Sequence, residues 1–148
     1  MTATKRDAFV HRWIENILDG IGATLDENTK IRLMESCGRA CAQKEAIHAA
    51  RSCSGDLEKF LSILGKWIGR NNVLRQGETL HLTYDKCFCP LASTIPESTA
   101  KIFCYCSIGW LKAMFEVLLK HEVVVDQKST ILQGGRQCQF TIHLHPPG

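Results

Sequence analysis

No stretch of the sequence approaches the roughly 18 consecutive apolar residues that a membrane-spanning helix needs. Residues 1 to 30 alternate apolar and charged positions and hold no continuous apolar segment of the secretory type. These two gaps predict a chain without a membrane, with the cytoplasm as its default compartment. The formal net charge is only +3, and the Lys and Arg residues are scattered. No nucleic-acid surface is therefore expected. The nucleophile elbow, the P-loop, the H-E-x-x-H pair and the dinucleotide fingerprint are all missing, so the enzyme classes they mark find no support. No internal repeat, low-complexity tract or linker divides the chain.

What is present is an ordinary globular composition with one departure. A length of 148 residues suits a single domain, here residues 1–148. Such a chain buries enough surface to fold without disulfides. Apolar residues at 45% and charged residues at 22% exclude a disordered chain. The departure is eight cysteines. With an adequate core and no export signal, they read as reduced thiols, a metal site or redox chemistry rather than a disulfide framework.

The pattern predicts four helices and a three-stranded sheet. Val10, Trp13, Ile14, Ile17, Leu18 and Ile21 recur at helical spacing, with Gly20 and Gly22 ending that helix. A second helix is expected from Asp26 or Asn28 to about Ala50, its inner face reading Ile31, Met34, Cys37, Gly38 and Cys41. A third carries Leu57 to Ile68. The alternation Thr79 to Tyr84 predicts a strand. Pro90 and Pro96 mark Asp85 to Thr99 as a loop, and Ser98 or Thr99 opens the passage to a fourth helix, roughly Cys104 to Lys120. Val123 to Leu132 and Gln137 to Leu144 read as strands joined across Gly134-Gly135. Helices first, then strands around one long helix, indicate an α+β fold: N-terminal helices packed with a small, mostly antiparallel sheet and one long central helix.

The cysteines supply the functional signal. Cys37 and Cys41, four apart, share one helix face, and the spacing puts them on the apolar one. Cys138 falls on the inward face of the last strand. These three are candidate pocket or cofactor residues. Cys87-Phe88-Cys89 and Cys104-Tyr105-Cys106 are two C-x-C pairs, and a helix N-terminus near the second would favour thiolates. Cys87, Cys89, Cys104 and Cys106 could supply four thiolates to one tetrahedral zinc, with Zn–S near 2.3 Å. Iron or an iron–sulfur cluster accepts the same ligands. Core packing is the rival reading, because a buried free cysteine behaves as a small hydrophobe. Cys53 receives no role. Gly38 and Gly109 interrupt the cysteine-bearing helix faces, either for close helix packing or to make room for a ligand. Arg39, Lys44 and Glu45 could hold a carboxylate ligand or form a solvated face. His81, His143, His48 and His121 read as surface residues.

The run Cys104-Tyr105-Cys106-Ser107-Ile108-Gly109-Trp110, followed by Phe115-Glu116, Val123 to Leu132 and Gly134-Gly135-Arg136-Gln137-Cys138-Gln139-Phe140, resembles the 4-vinyl-reductase-type small-molecule-binding domain. It is also similar to aminothiazoline-carboxylate-hydrolase-like proteins. With Glu35 to Cys41 and Cys87 to Leu91, the likeness is to a cysteine-rich branch of that group and spans about residues 30 to 144. The resemblance implies an α+β domain with an enclosed pocket for ligand sensing, tetrapyrrole-related chemistry or hydrolysis. Some members of the group bind zinc through one Glu and three Cys. Cys138 matches the last of those cysteines, but Thr130 and Gln127 stand where another Cys and the Glu would be. The usual zinc set is therefore absent.

Three functions follow as expectations. The first is a small-molecule- or metal-binding domain with clustered cysteines, with zinc or iron as the cofactor. The second is a hydrolase of a small cyclic amidine or sulfur compound, with Cys106 as the test nucleophile. The third is a thiol redox sensor. A homodimer through an exposed helix face is compatible with the pattern.

Overall fold

A computed structural model describes residues 4–42, 44–89, 91, 94–95 and 101–148. Among these residues the chain forms five α-helices and one four-stranded antiparallel sheet, the expected α+β class.

Helix α1 spans Lys5–Thr24 and opens with a capping box between Thr4 and Asp7. It continues past Gly20 and Gly22, correcting the expected end. Both glycines face open space, so each costs only helix propensity, about 1 kcal/mol. The chain leaves the helix at Leu25, and Asp26 then caps the next helix by accepting from the Thr29 N–H at 2.9 Å.

The long second helix expected to reach Ala50 is two helices, α2 (Glu27–Cys41) and α3 (Glu45–Ser52). Lys44, with ψ near −91°, is not helical, and the break re-aims the second half so that Ala46, Ile47 and Ala50 are all buried. Helix α4 (Leu57–Ile68) is capped by Asp56, which accepts from the Lys59 N–H at 3.0 Å.

The sheet has one strand more than expected. Strand β1 (Val73–Gln76) pairs with β2 (Thr79–Tyr84) through a turn at Gly77-Glu78. Gly77 takes φ of +59°, which a side chain would oppose. A 3-10 turn, Lys101–Tyr105, leads into the central helix α5 (Cys106–Leu119). Strands β3 (Val124–Ser129) and β4 (Cys138–His143) follow, and both are shorter than expected because Ile131–Gln133 forms a 3-10 turn between them. The strand order is β1-β2-β4-β3. The expected helix start at Ser98 or Thr99, and both Pro90 and Pro96, lie outside the described residues.

One face of the sheet, carrying Leu80, Leu82, Phe140 and Ile142, packs with Phe60, Leu64, Leu111, Met114 and Phe115 in the main core. Burying each of these side chains contributes about 2 kcal/mol. Phe60 meets Phe115 edge-on at 5.4 Å. A smaller cluster of Leu18, Met34, Ile95, Ile102 and Phe103 ties α1 and α2 to the 3-10 turn. The outer face of α1 leaves Phe9, Trp13 and Ile17 exposed, while Leu18 of the same helical series is buried.

The run Lys101–Leu119 bears on the opening expectation. By length and composition it could cross a membrane, with a mean hydropathy of 1.6, yet half of it is buried within the fold. A core helix meets the same criterion, and here it lies between α2 and the sheet.

Candidate functional site

The site begins with a close crossing of α2 and α5. A β-carbon on Gly38 would lie 1.8 Å from the Cys106 carbonyl oxygen, and one on Gly109 would lie 1.9 Å from that of Glu35. Only glycine permits backbones this close. Of the two explanations the sequence left open for these glycines, the structure selects packing. The buried stripe of α2 is Met34, Gly38 and Ala42. Cys37 and Cys41 lie one residue off that stripe and are exposed, not on the inner face as expected. The crossing nevertheless holds them beside Cys106.

Polar clamps fix the crossing along its far side. Arg39 donates to both oxygens of Glu116, at 2.7 and 3.2 Å. Lys112 donates to both oxygens of Glu35, at 3.1 and 3.2 Å. Burial raises the Glu116 pKa, but the hydrogen bonds and charge of Arg39 outweigh it and leave the carboxyl below its ordinary range. Arg39 is thus occupied by Glu116 and Glu35, while Lys44 and Glu45 are exposed.

Seven of the eight cysteines fall into two overlapping groups of electrostatically interacting thiols, one around Cys106 and one around Cys104. Burial pushes the Cys106 thiol up to about 12, and the neighbouring thiols of Cys37, Cys89, Cys41 and Cys104 reinforce the rise. Burial likewise pushes Cys104 to about 11, opposed by the Thr130 hydroxyl and reinforced by Cys138 and Cys87. Cys138 is raised by burial, opposed by the Ile131 N–H that donates to its Sγ at 3.4 Å, and raised further by Cys87. The eighth, Cys53, is buried in the main core. Cys87 and Cys89 fall in different groups, while Cys104 is common to both.

The expectation that a helix N-terminus lowers the Cys106 pKa is corrected. Cys106 is the first residue of α5, following the 3-10 turn, yet burial is the largest cause acting on its thiol and raises it.

The sheet end adds polar groups that the sequence did not single out as hydroxyls of a site. Tyr84 pairs in register with Cys138, and its ring meets Phe88 edge-on at 5.7 Å, bringing the Cys87-Phe88-Cys89 segment to the sheet. The Tyr84 hydroxyl and Gln127 Oε1 are buried without a hydrogen-bond partner among the described residues, and the buried Thr130 hydroxyl meets only the Cys104 thiol. A thiolate at Cys104 would give Thr130 its acceptor. Gln127, Thr130 and Cys138 do not fit a zinc set of one Glu and three Cys, because an amide oxygen and a hydroxyl replace a carboxylate and a thiolate. Among the described residues no three His, Cys, Asp or Glu side chains converge at metal-ligand distance.

A profile of the Family of unknown function (DUF6144) matches residues 2–147. The chain belongs to that family. No curated protein matches it. The DUF6144 description assigns no activity, so the geometry carries the functional argument.

In this DUF6144 chain a cleft of about 410 Å³ opens between α1, α2 and the 3-10 turns. Its lining includes Asp19, Glu27, Lys30, Lys101, Tyr105 and Gln133, and no cysteine. The Tyr105 hydroxyl donates to Glu27, which, together with burial, raises the Tyr105 pKa to about 12. Tyr105 stands between Cys104 and Cys106, so the cleft and the thiols share one turn. The histidines lie elsewhere: His143 pairs with Asp126 at 2.7 Å, His81 contacts Thr141 at 3.2 Å, and His48 is exposed.

Proposed function

We propose that this chain is a metal-binding domain in which clustered cysteine thiolates hold a zinc- or iron-type cation. One observation supports the reading: Cys106 interacts electrostatically with Cys37, Cys41, Cys89 and Cys104, and Cys104 in turn with Cys87 and Cys138, so thiols from four separate segments adjoin at these two residues. Core packing accounts for a buried thiol, but Cys37, Cys41 and Cys87 are exposed. A bound cation would neutralise the thiolates and displace their protons, against the burial that holds Cys104 and Cys106 protonated. Because a bound ion would tie the 87–89 segment to α2 and α5, its binding energy would add to folding. Free thiols in this number suit a reducing compartment, so the cytoplasm remains the proposed location.

The resemblance to 4-vinyl-reductase-type domains supports ligand binding as a second reading, and the cleft beside Tyr105 is the observation that favours it. The hydrolase reading asks for a thiol of lowered pKa, and Cys104 and Cys106 are shifted the other way.

Thermal unfolding of reduced protein, with and without a strong chelator, tests the metal reading. A fall in Tm of several degrees on chelation, restored by zinc, is expected. An unchanged Tm in protein as purified and after zinc addition refutes it.

A further inference from the structure

We propose that the outer face of α1 is a self-association surface, on which a second copy of this chain docks its own α1 antiparallel to the first. The face is apolar and exposed. Phe9, Val10, Trp13 and Ile17 are 55%, 43%, 58% and 48% exposed, while Ile14, Leu18 and Ile21 turn toward the smaller core cluster. Single apolar residues on a surface are ordinary, but four large ones in one stripe, with a tryptophan among them, mark an interaction site.

The spacing of the stripe fits a helix as its partner. Val10, Trp13, Ile17 and Gly20 follow one another at intervals of three, four and three, the spacing of a coiled-coil seam. Side-chain size along that seam decides the direction. In a parallel pair each residue meets its own copy, so two Trp13 rings crowd one layer and two Gly20 residues leave a gap two turns away. In an antiparallel pair Trp13 meets Ile17 of the second copy, and Val10 meets its Gly20. A β-carbon on Gly20 would find nothing within 4 Å, so the space for an incoming side chain is open.

Charge selects the same arrangement. Lys5, Arg6 and Arg12 against Asp7 leave residues 5–12 with a surplus of two positive charges, and Glu15 and Asp19 leave residues 13–24 with two negative ones. Antiparallel pairing sets the basic half of each helix beside the acidic half of the other and opposes the helix dipoles favourably; parallel pairing does neither. The same balance disfavours a membrane surface as the occupant. With three Lys or Arg and three Asp or Glu, α1 has no net charge to draw it to anionic lipid. One helix pair is a small interface, so the dimer is reversible, with an expected Kd on the order of 10 µM.

Sedimentation equilibrium of the reduced full-length chain, from about 1 to about 300 µM, tests the proposal. Wild type is expected to pass from monomer to dimer across that range. Trp13→Glu and Ile17→Lys alter exposed side chains, so the circular dichroism should stay native, and each is expected to weaken the dimer by about 100-fold or more. Leu74→Glu, also at an exposed position but on β1, is expected to leave it unchanged. Arg12→Glu removes the surplus of the basic half and is expected to weaken the dimer about threefold at low salt; no change or a strengthening would overturn the antiparallel direction. A wild type that stays monomeric throughout, or a dimer indifferent to Trp13→Glu and Ile17→Lys, overturns the proposal. So does a monomer that binds vesicles of anionic phospholipid and loses that binding in Trp13→Glu, which would make the stripe a membrane contact.

Discussion

Gly38 approaches Cys106 so closely that a β-carbon on the glycine would stand 1.8 Å from the cysteine's carbonyl oxygen. This contact and its counterpart between Gly109 and Glu35 set the distance between α2 and α5, and with it the spacing of the thiols on both helices.

Replacing either glycine with alanine forces the helices apart. Alanine gains about 1 kcal/mol of helix propensity, but the clash is with backbone, which has no rotamer to escape into. Gly38→Ala and Gly109→Ala are each expected to lose about 2 kcal/mol or more of stability in urea unfolding. Gly20→Ala, facing open space, is expected to gain stability. Equal, small effects at all three positions would contradict the close crossing.

Alkaline pH should weaken the metal-free, reduced protein. Cys104 and Cys106 keep their protons up to about 11 and about 12 in the folded chain, against 9.0 ordinarily. The unfolded chain therefore releases protons first. The stability from these thiols is fully present below pH 9 and lost as pH rises through their folded values. Tyr105, held up to about 12, acts in the same direction from a higher start. Melting scans from pH 8 to 11 are expected to show a falling Tm, and less of a fall in Cys106→Ala.

Glu116 gives the opposite dependence. Its pKa is depressed in the folded chain, so the stability it contributes is present above the ordinary Glu range and is lost as pH falls through the folded value. Its partner Arg39 is partly exposed, and solvent screening limits the worth of the pair. Glu116→Gln is expected to cost about 1 kcal/mol at pH 7. That cost should shrink toward zero at pH 3; a constant cost would point to packing instead.

Much of the fold was legible because its signals are local. The alternation in Thr79 to Tyr84, the stripe in Leu57 to Ile68 and the apolar run after Cys106 each match the element that forms. The break between α2 and α3 was not legible, because residues on both sides suit a helix and only burial of Ala46, Ile47 and Ala50 against the core demands the turn. Strand β1 was missed because its burial is slight, although Gly77 before Glu78 offered a hairpin signal.

The cysteines show the same division. Sequence spacing put Cys37 and Cys41 on one helix face but could not tell the buried stripe from its flank, since cysteine counts as apolar in either place. The place of Cys104 in a 3-10 turn that runs on into α5 at Cys106 is announced by no residue in that segment. Thr130 and Gln127 came to notice only through the resemblance, and the burial of their side-chain oxygens appears only in three dimensions.

Thr130→Val removes one of those hydroxyls at nearly constant shape. In the metal-free chain it is expected to change stability by no more than about 1 kcal/mol, since the hydroxyl meets only the weakly accepting Cys104 thiol. A loss of about 2 kcal/mol or more in urea unfolding would show that the hydroxyl has a stronger partner.

The most direct test of the central claim is the metal content of untagged protein purified anaerobically. Elemental analysis is expected to find about one zinc or iron per chain. Metal-free protein, with all eight thiols titratable after unfolding and no uptake of added zinc, would contradict it.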